Sequence, residues 1–285
     1  MHNIKEIRNN LDLFKSSLKK RFLETDFDKI LELDEKNRKL IQEKETLEKE
    51  KKDISKSKDK TLFKKSKDIS VEIDKLSKTQ LEIKNKLNNI LSAIPNLPLD
   101  DVPLGKDENS NLELSKAGIV PNFNFKVKSH YEIGKALNML DFDLATKTTG
   151  SRFVFVKDKL ALLERAISNF MLDIHIKTNG YKEISPPLIV SEDSMYGTGQ
   201  LPKFEKDQFE LKLDDKSGRK FLIPTAEVIL TNIVRESFLK KEELPLRLVA
   251  STACFRKEAG SYGKDTRGMI RQHQFYKVEL VSIVE

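Results

Sequence analysis

Apolar residues divide this chain into two regimes. Between residues 30 and 94 they recur at alternating spacings of three and four. Ile69, Ile73, Leu76, Gln80, Ile83, Leu87, Ile90 and Ile94 follow a 4-3-4-3-4-3-4 pattern, a heptad seam with one polar interruption. An earlier seam is less regular: Leu33, Leu40, Leu47 and Ile54 recur every seven residues, with Ile30, Asn37, Lys44 and Lys51 between them. Neither seam can bury itself alone, so the pattern predicts two helices folded into an antiparallel hairpin. Each would be about 40 Å long, from roughly 27 residues at 1.5 Å rise, with a tip near residues 55–66. Upstream, Ile4, Ile7, Leu11, Phe14 and Leu18 mark a short amphipathic segment expected to pack on the base of the arm.

After Ile94 the pattern breaks. Residues 95–111 are rich in Pro, Gly, Asp and Asn and read as a linker. Beyond it, period-2 alternation predicts strands over 122–128, 153–156, 221–223, 246–256 and 274–284. The run from Leu160 to about Ile176 predicts a helix carrying Leu163, Ile167, Phe170, Met171 and Ile174 on one face. Few strand–helix–strand alternations occur, so the expected body is an antiparallel sheet with flanking helices, giving an α+β chain. The expected organisation is an arm over 1–94, a linker over 95–111 and the body over 112–285.

Charge sharpens the picture of the arm. The net formal charge is +7, and residues 51–67 alone contribute +6, from eight lysines against Asp53 and Asp59. Two readings stand on composition: lysines that keep a coiled coil hydrated, or a lever that carries positive charge against a nucleic-acid backbone. Lysines without base-reading neighbours suit phosphate contacts, which fix position and not sequence. No apolar run reaches the 18 or so residues needed to span a bilayer, and the first twenty residues lack a signal-peptide core. One cysteine, Cys254, excludes a disulfide framework and a CxxC zinc site. The cytoplasm is the expected location, with no metal site in the protein.

Two familiar nucleotide-binding patterns fail here. Gly197-Thr-Gly199 continues as Gln-Leu-Pro202, which does not fit the dinucleotide fingerprint. Ala259–Thr266 has the wrong glycine spacing for a P-loop. The segment from Thr252 to Glu279 reads instead as strand, loop and strand. Its loop carries Lys257, Lys264, Arg267 and Arg271 among Gly260, Gly263 and Gly268. Alternation places Phe275, Lys277 and Glu279 on one face, the outer two about 13 Å apart at 3.3 Å per residue. A π-surface at one end, a carboxylate at the other and Arg256 nearby could hold an aminoacyl-adenylate end to end; an ordinary surface hairpin is the alternative.

Phe255-Arg-Lys-Glu258 followed by Arg271…Phe275 resembles motif 2 of the class II aminoacyl-tRNA synthetases. Gly180-Tyr-Lys-Glu-Ile-Ser-Pro-Pro187 is similar to motif 1. Ile94-Pro-Asn-Leu-Pro98, Gly105-Lys-Asp-Glu-Asn109, Thr149-Gly-Ser-Arg-Phe153, Gly197–Phe204 and Ile223-Pro-Thr-Ala-Glu-Val228 resemble signatures of the seryl-tRNA synthetases, in that family's order. The resemblance implies a two-helix tRNA-binding arm and a class II catalytic domain. It implies serine binding by Thr225, Glu227 and Glu279. ATP would be held by Arg256 at the α-phosphate, Glu258 at the adenine amino group, Phe275 stacked on adenine and Arg271 near the distal phosphates. It further implies tRNA(Ser) against Lys56, Lys58, Lys60, Lys64 and Lys65, a homodimer interface at Pro187, and ATP entering with Mg2+ as substrate and no zinc. Whether a selenocysteine tRNA is also charged is left open.

The family has a third motif with a γ-phosphate arginine, and no counterpart precedes Glu285. On that expectation this is a fragment of an ordinary synthetase, and residues 1–285 alone fail serine-dependent ATP–pyrophosphate exchange. The alternative is a shortened tRNA-binding protein derived from such an enzyme.

Overall fold

The computed structural model describes residues 2–57, 60–213, 218–260 and 267–285, as two compact units, 1–119 and 120–285. The first opens with α1 (Ile4–Asn9), whose N-terminus is capped by the Asn3 side chain accepting from Lys5 N, and α2 (Leu11–Lys20). The segment expected as one helix is therefore two, broken at Asn10. Long helices α3 (Phe27–Ser57) and α4 (Phe63–Ala93) follow, of 31 residues each. At 1.5 Å per residue each is about 46 Å long. They run antiparallel: Lys65 bridges to Glu50 near one end and Gln80 meets Asn37 midway. At the other end Phe27 and Ile30 cluster with Leu87, Leu91 and Ile94, sealed by Ile7, Phe14 and Leu18 of the first two helices. Buried Asp34 pins this base by ion pairs to Arg8 at 3.3 Å and Arg38 at 3.1 Å.

The polar interruptions of the two seams answer each other, because Gln80 Nε2 donates to Asn37 Oδ1 at 2.8 Å between the helices. Replacing Gln80 by leucine alone leaves the Asn37 amide facing an apolar partner and should lower arm stability by about 1 kcal/mol. The double variant N37L/Q80L removes both amides and should be at least as stable as the original chain. Chemical unfolding followed by circular dichroism checks this; a double variant no more stable than Q80L would refute the coupling.

The linker's first half is tied down. His2 contacts the Pro95 carbonyl at 2.7 Å, Arg21 donates to the Asn96 carbonyl at 2.7 Å, and Lys106 lies over the Phe22 ring.

The second unit contains α5 (His130–Ala136), β1 (Leu140–Asp141), α6 (Phe142–Thr148), β2 (Phe155–Val156) and α7 (Asp158–Lys177). Next come β3 (Lys182–Glu183), β4 (Ile189–Ser191), α8 (Glu192–Gly197), β5 (Glu210–Leu211) and β6 (Lys220–Leu222). It ends with α9 (Glu227–Leu230), β7 (Leu246–Phe255) and β8 (Gln274–Ile283). Helix α5 opens with a capping box, in which hydrogen bonds from Ser129 hold the Glu132 carboxyl below the usual carboxylate range. The strands form three sheets, ordered β1-β2, β3-β7-β8 and β4-β6-β5. The β7–β8 hairpin is antiparallel over ten residue pairs, from Leu246↔Ile283 to Phe255↔Gln274. Alternate residues Leu248, Ala250, Thr252 and Cys254 of β7 are buried. Burial pushes the Cys254 thiol up from its ordinary value. In the third sheet Arg219 bonds Glu210, Glu205 and Glu192 and covers the Phe221 ring, stitching β5, β6 and α8 together; the Glu210 bond foremost raises its guanidinium further from titration.

Two strand expectations differ from what forms. Residues 122–128 form no strand: Phe123, Phe125 and Val127 are exposed, because no neighbouring strand offers backbone partners to the alternating segment. The strand predicted over 153–156 shortens to Phe155–Val156. The expected α+β body with antiparallel pairing forms, and within it the two-residue edge strand β3 pairs parallel to β7. Helix α7 forms as predicted, yet Leu172 is its buried residue while Leu163, Ile167 and Phe170 stay exposed. Leu163, Ile167 and Met171 line an open cleft of about 690 Å³ that separates α7 from Tyr276 and Val278 of β8.

Candidate active site

The β7–β8 hairpin delivers the predicted residues to one region. At the end of β7, Phe255 N donates to the Ile223 carbonyl at 2.9 Å, joining this sheet to the segment that carries Pro224 and Thr225. Arg256 then donates from Nε to the Pro224 carbonyl at 3.3 Å, and its guanidinium lies 5.1 Å from the Phe275 ring centroid. Arg256, Glu258 and Arg271 line a cavity of about 400 Å³ with Gln200, Phe204 and Asp207. Arg271 pairs with the Glu258 carboxylate at 3.4 Å.

Residues that composition did not single out hold this cavity in shape. Glu258 has φ +49, in the left-handed region that disfavours a side chain. Arg152 donates to its carbonyl at 2.7 Å, and Asp207 accepts from Lys257 N and from Ala259 N, both at 2.8 Å. The far end of the loop is held by His130, whose Nε2 accepts from Met269 N at 2.8 Å. Gly268, at φ +72, leaves room for that contact; a Cβ there would stand 2.3 Å from His130 Nε2. Arg152 lies within the Thr149–Phe153 string, so its signal was present in the sequence, but the partner is more than a hundred residues away. Gly263 and Lys264 lie outside the described residues.

On β8, Glu279 accepts a short hydrogen bond from the Thr225 hydroxyl. Lys277 Nζ lies 2.5 Å from the same carboxylate and 3.1 Å from Thr225 Oγ1. Thr225 is buried and Glu279 is 16% exposed. Glu227, two residues after Thr225, does not share an extended face with it. The chain turns at Ala226, and Glu227 opens α9 with its N–H donating to Thr225 Oγ1 at 3.3 Å. Glu227 lines a cavity of about 330 Å³ with Gly197, Thr198, Thr231 and Arg235.

The other predicted residues are distributed elsewhere. Lys56 and Lys64 are exposed near the arm's tip, and Lys65 is exposed but paired with Glu50 at 2.7 Å. Lys58 lies outside the described residues, as does the side chain of Lys60. Pro187 is exposed just before β4. Among the described residues, no three His, Cys, Asp or Glu side chains are grouped to hold a metal ion. No described helix is long and apolar enough to cross a membrane.

Residues 207–285 match the tRNA synthetase class II core domain (G, H, P, S and T). Together with the β7–β8 hairpin and its Arg256–Glu258–Phe275 set, this makes the protein a class II aminoacyl-tRNA synthetase. Residues 1–98 match the seryl-tRNA synthetase N-terminal domain. The whole chain is 74% identical to the serine–tRNA ligase of Pelagibacter ubique, covering 68% of that protein, and 47% identical to that of Ehrlichia canis, also covering 68%. The fold superposes on the crystal structure of seryl-tRNA synthetase from Pyrococcus horikoshii complexed with ATP, with TM-score 0.79 and 31% identity, covering 99% of this chain and 69% of that one. A cytoplasmic serine–tRNA ligase from Naegleria fowleri in complex with AMP gives TM-score 0.75 at 28% identity, over 95% of this chain and 62% of that one. The chain belongs to the seryl-tRNA synthetase family.

Proposed function

We propose that this polypeptide carries the tRNA-binding arm and the adenylate-forming site of a serine–tRNA ligase, with the arm over 1–94, a linker over 95–111 and the catalytic body over 112–285. The observation that supports it is the continuous run along β8: Phe275 under Arg256 at one end, and Glu279 bonded to Thr225 at the other. Serine presents an ammonium and a hydroxyl, both donors suited to the Glu279 carboxylate and the Thr225 oxygen. Glu227, at the start of α9, donates its backbone N–H to Thr225 Oγ1 and helps to orient that hydroxyl. A site built to bond the hydroxyl rejects alanine, because its polar groups would be left unpaired.

ATP enters with Mg2+ as part of the substrate, its adenine against Phe275 and Glu258, its α-phosphate at Arg256 and its distal phosphates at Arg271. A serine carboxylate oxygen attacks the α-phosphorus in line, and the bond to the β-phosphate breaks to release pyrophosphate. A terminal ribose hydroxyl of tRNA(Ser) then attacks the acyl carbon and AMP leaves. The protein supplies no nucleophile; positioning and charge stabilisation carry the rate. In this reading the protein works in the cytoplasm as a homodimer through the Pro187 surface, and tRNA(Sec) is a second candidate substrate. The test is ATP–pyrophosphate exchange by the product of the complete gene. Exchange should require serine and fail with alanine; exchange independent of serine would defeat the proposal.

The arm carries its own test. Replacing Lys56, Lys58, Lys60, Lys64 and Lys65 by glutamine should weaken tRNA(Ser) binding and flatten its dependence on salt. For every phosphate that the arm no longer neutralises, the log–log slope should fall by about 0.7–0.9. An unchanged slope would remove the lysines from the interface.

A further inference from the structure

We infer that Lys277 is a substrate-contacting residue that exchanges partners during the reaction: it neutralises Glu279 in the empty site and turns to the serine carboxylate and the α-phosphate when serine and ATP are bound. This rests on the serine-site reading above. Three observations carry it. First, the Lys277 ammonium lies 2.5 Å from the Glu279 carboxylate and 3.1 Å from Thr225 Oγ1, so it occupies the acceptors that the ammonium and hydroxyl of serine need. Second, Thr225 is 3% exposed and Glu279 16%, so the carboxylate stands in a poorly hydrated place where a counter-charge is required. Lys277 is 34% exposed and its four-carbon stem can swing.

Third, strand periodicity fixes the order along β8. Phe275, Lys277 and Glu279 share a face at intervals of about 6.6 Å. If adenine stacks on Phe275 and the amino acid meets Glu279, the acyl–phosphate junction lies between them, above Lys277. Two ammonium groups cannot share one carboxylate oxygen without repulsion, so the incoming substrate cation displaces Lys277. The anion it needs next arrives with the same substrates, in the serine carboxylate and the α-phosphate. The exchange of partners places a cation where negative charge develops in the transition state.

The test uses the product of the complete gene and compares Lys277→Met, Lys277→Arg and Glu279→Gln. Lys277→Met should lower kcat for serine-dependent exchange by about 100-fold, while the KM for serine changes less than threefold. Lys277→Arg, which keeps a cation, should recover most of that loss. Serinol, which has the ammonium and hydroxyl of serine but no carboxylate, supplies the readout that a structural role would not move. In the original protein it must displace Lys277 without offering an anion in return, so it should inhibit Lys277→Met at least threefold more strongly. An unchanged kcat in Lys277→Met, or serinol inhibition equal in both proteins, would overturn the inference. Glu279→Gln separates the two levels. If it leaves the KM for serine unchanged, the serine-site reading fails; if it raises that KM while Lys277→Met is silent, only the role of Lys277 fails.

Discussion

Replacing Arg256 by lysine should lower kcat for serine-dependent ATP–pyrophosphate exchange by about 100-fold, the loss typical of removing one preorganised donor to a developing charge. The residue is placed by its own strand and by two contacts that lysine cannot reproduce together. Its Nε donates to the Pro224 carbonyl at 3.3 Å, and its planar guanidinium lies 5.1 Å from the Phe275 ring centroid. The remaining N–H groups belong to the wall of the cavity shared with Glu258 and Arg271. Lysine keeps the charge but has no fork, so it can hold the carbonyl or reach a phosphate, not both. The effect should fall on kcat more than on the KM for ATP, because the charge being stabilised is greatest in the transition state. A kcat within threefold of the original would remove Arg256 from the reaction.

Replacing Phe221 by alanine should destabilise the second unit by about 3–5 kcal/mol, the range for deleting a fully buried aromatic side chain. Phe221 is 1% exposed, lies on the central strand β6 and packs with Val190, Met195, Leu201, Ile223 and Val228. The Arg219 guanidinium closes over its ring at 5.0 Å. Urea unfolding should show the loss, and the thermal midpoint should drop by about 10 °C, at 2–4 °C per kcal/mol for a unit of this size. Activity should suffer before unfolding does, because Ile223 and Pro224, close behind it in the chain, accept the bonds from Phe255 and Arg256. A loss below about 1 kcal/mol would mean that neighbouring side chains collapse into the space.

What could be read in advance followed from spacing. A heptad is a local property, so the two arm helices and the interrupted seam at Gln80 were legible from residues three and four apart. Period-2 alternation placed Phe275, Lys277 and Glu279 on one face, and the motif-like strings pointed to Arg256 and Glu258. Local pattern misled where a segment needed a partner. Residues 122–128 alternate like a strand but have no neighbouring strand to accept their backbone groups. Thr225 and Glu227 are two apart, as on an extended face, yet the chain turns between them into α9.

The sequence by itself determined the arm, the strand–loop–strand of the catalytic half and its family, because each depends on residue type and short-range spacing. Only the tertiary structure decided that Asn37 answers Gln80 from 43 residues away, that Arg152 and Asp207 brace Glu258, and that Lys277 closes on Thr225 across 52 residues. Those contacts depend on how separate elements pack. No periodicity along one element encodes which side chain of another will complete a buried polar group; that is settled when the elements meet and each buried charge or amide must find its partner.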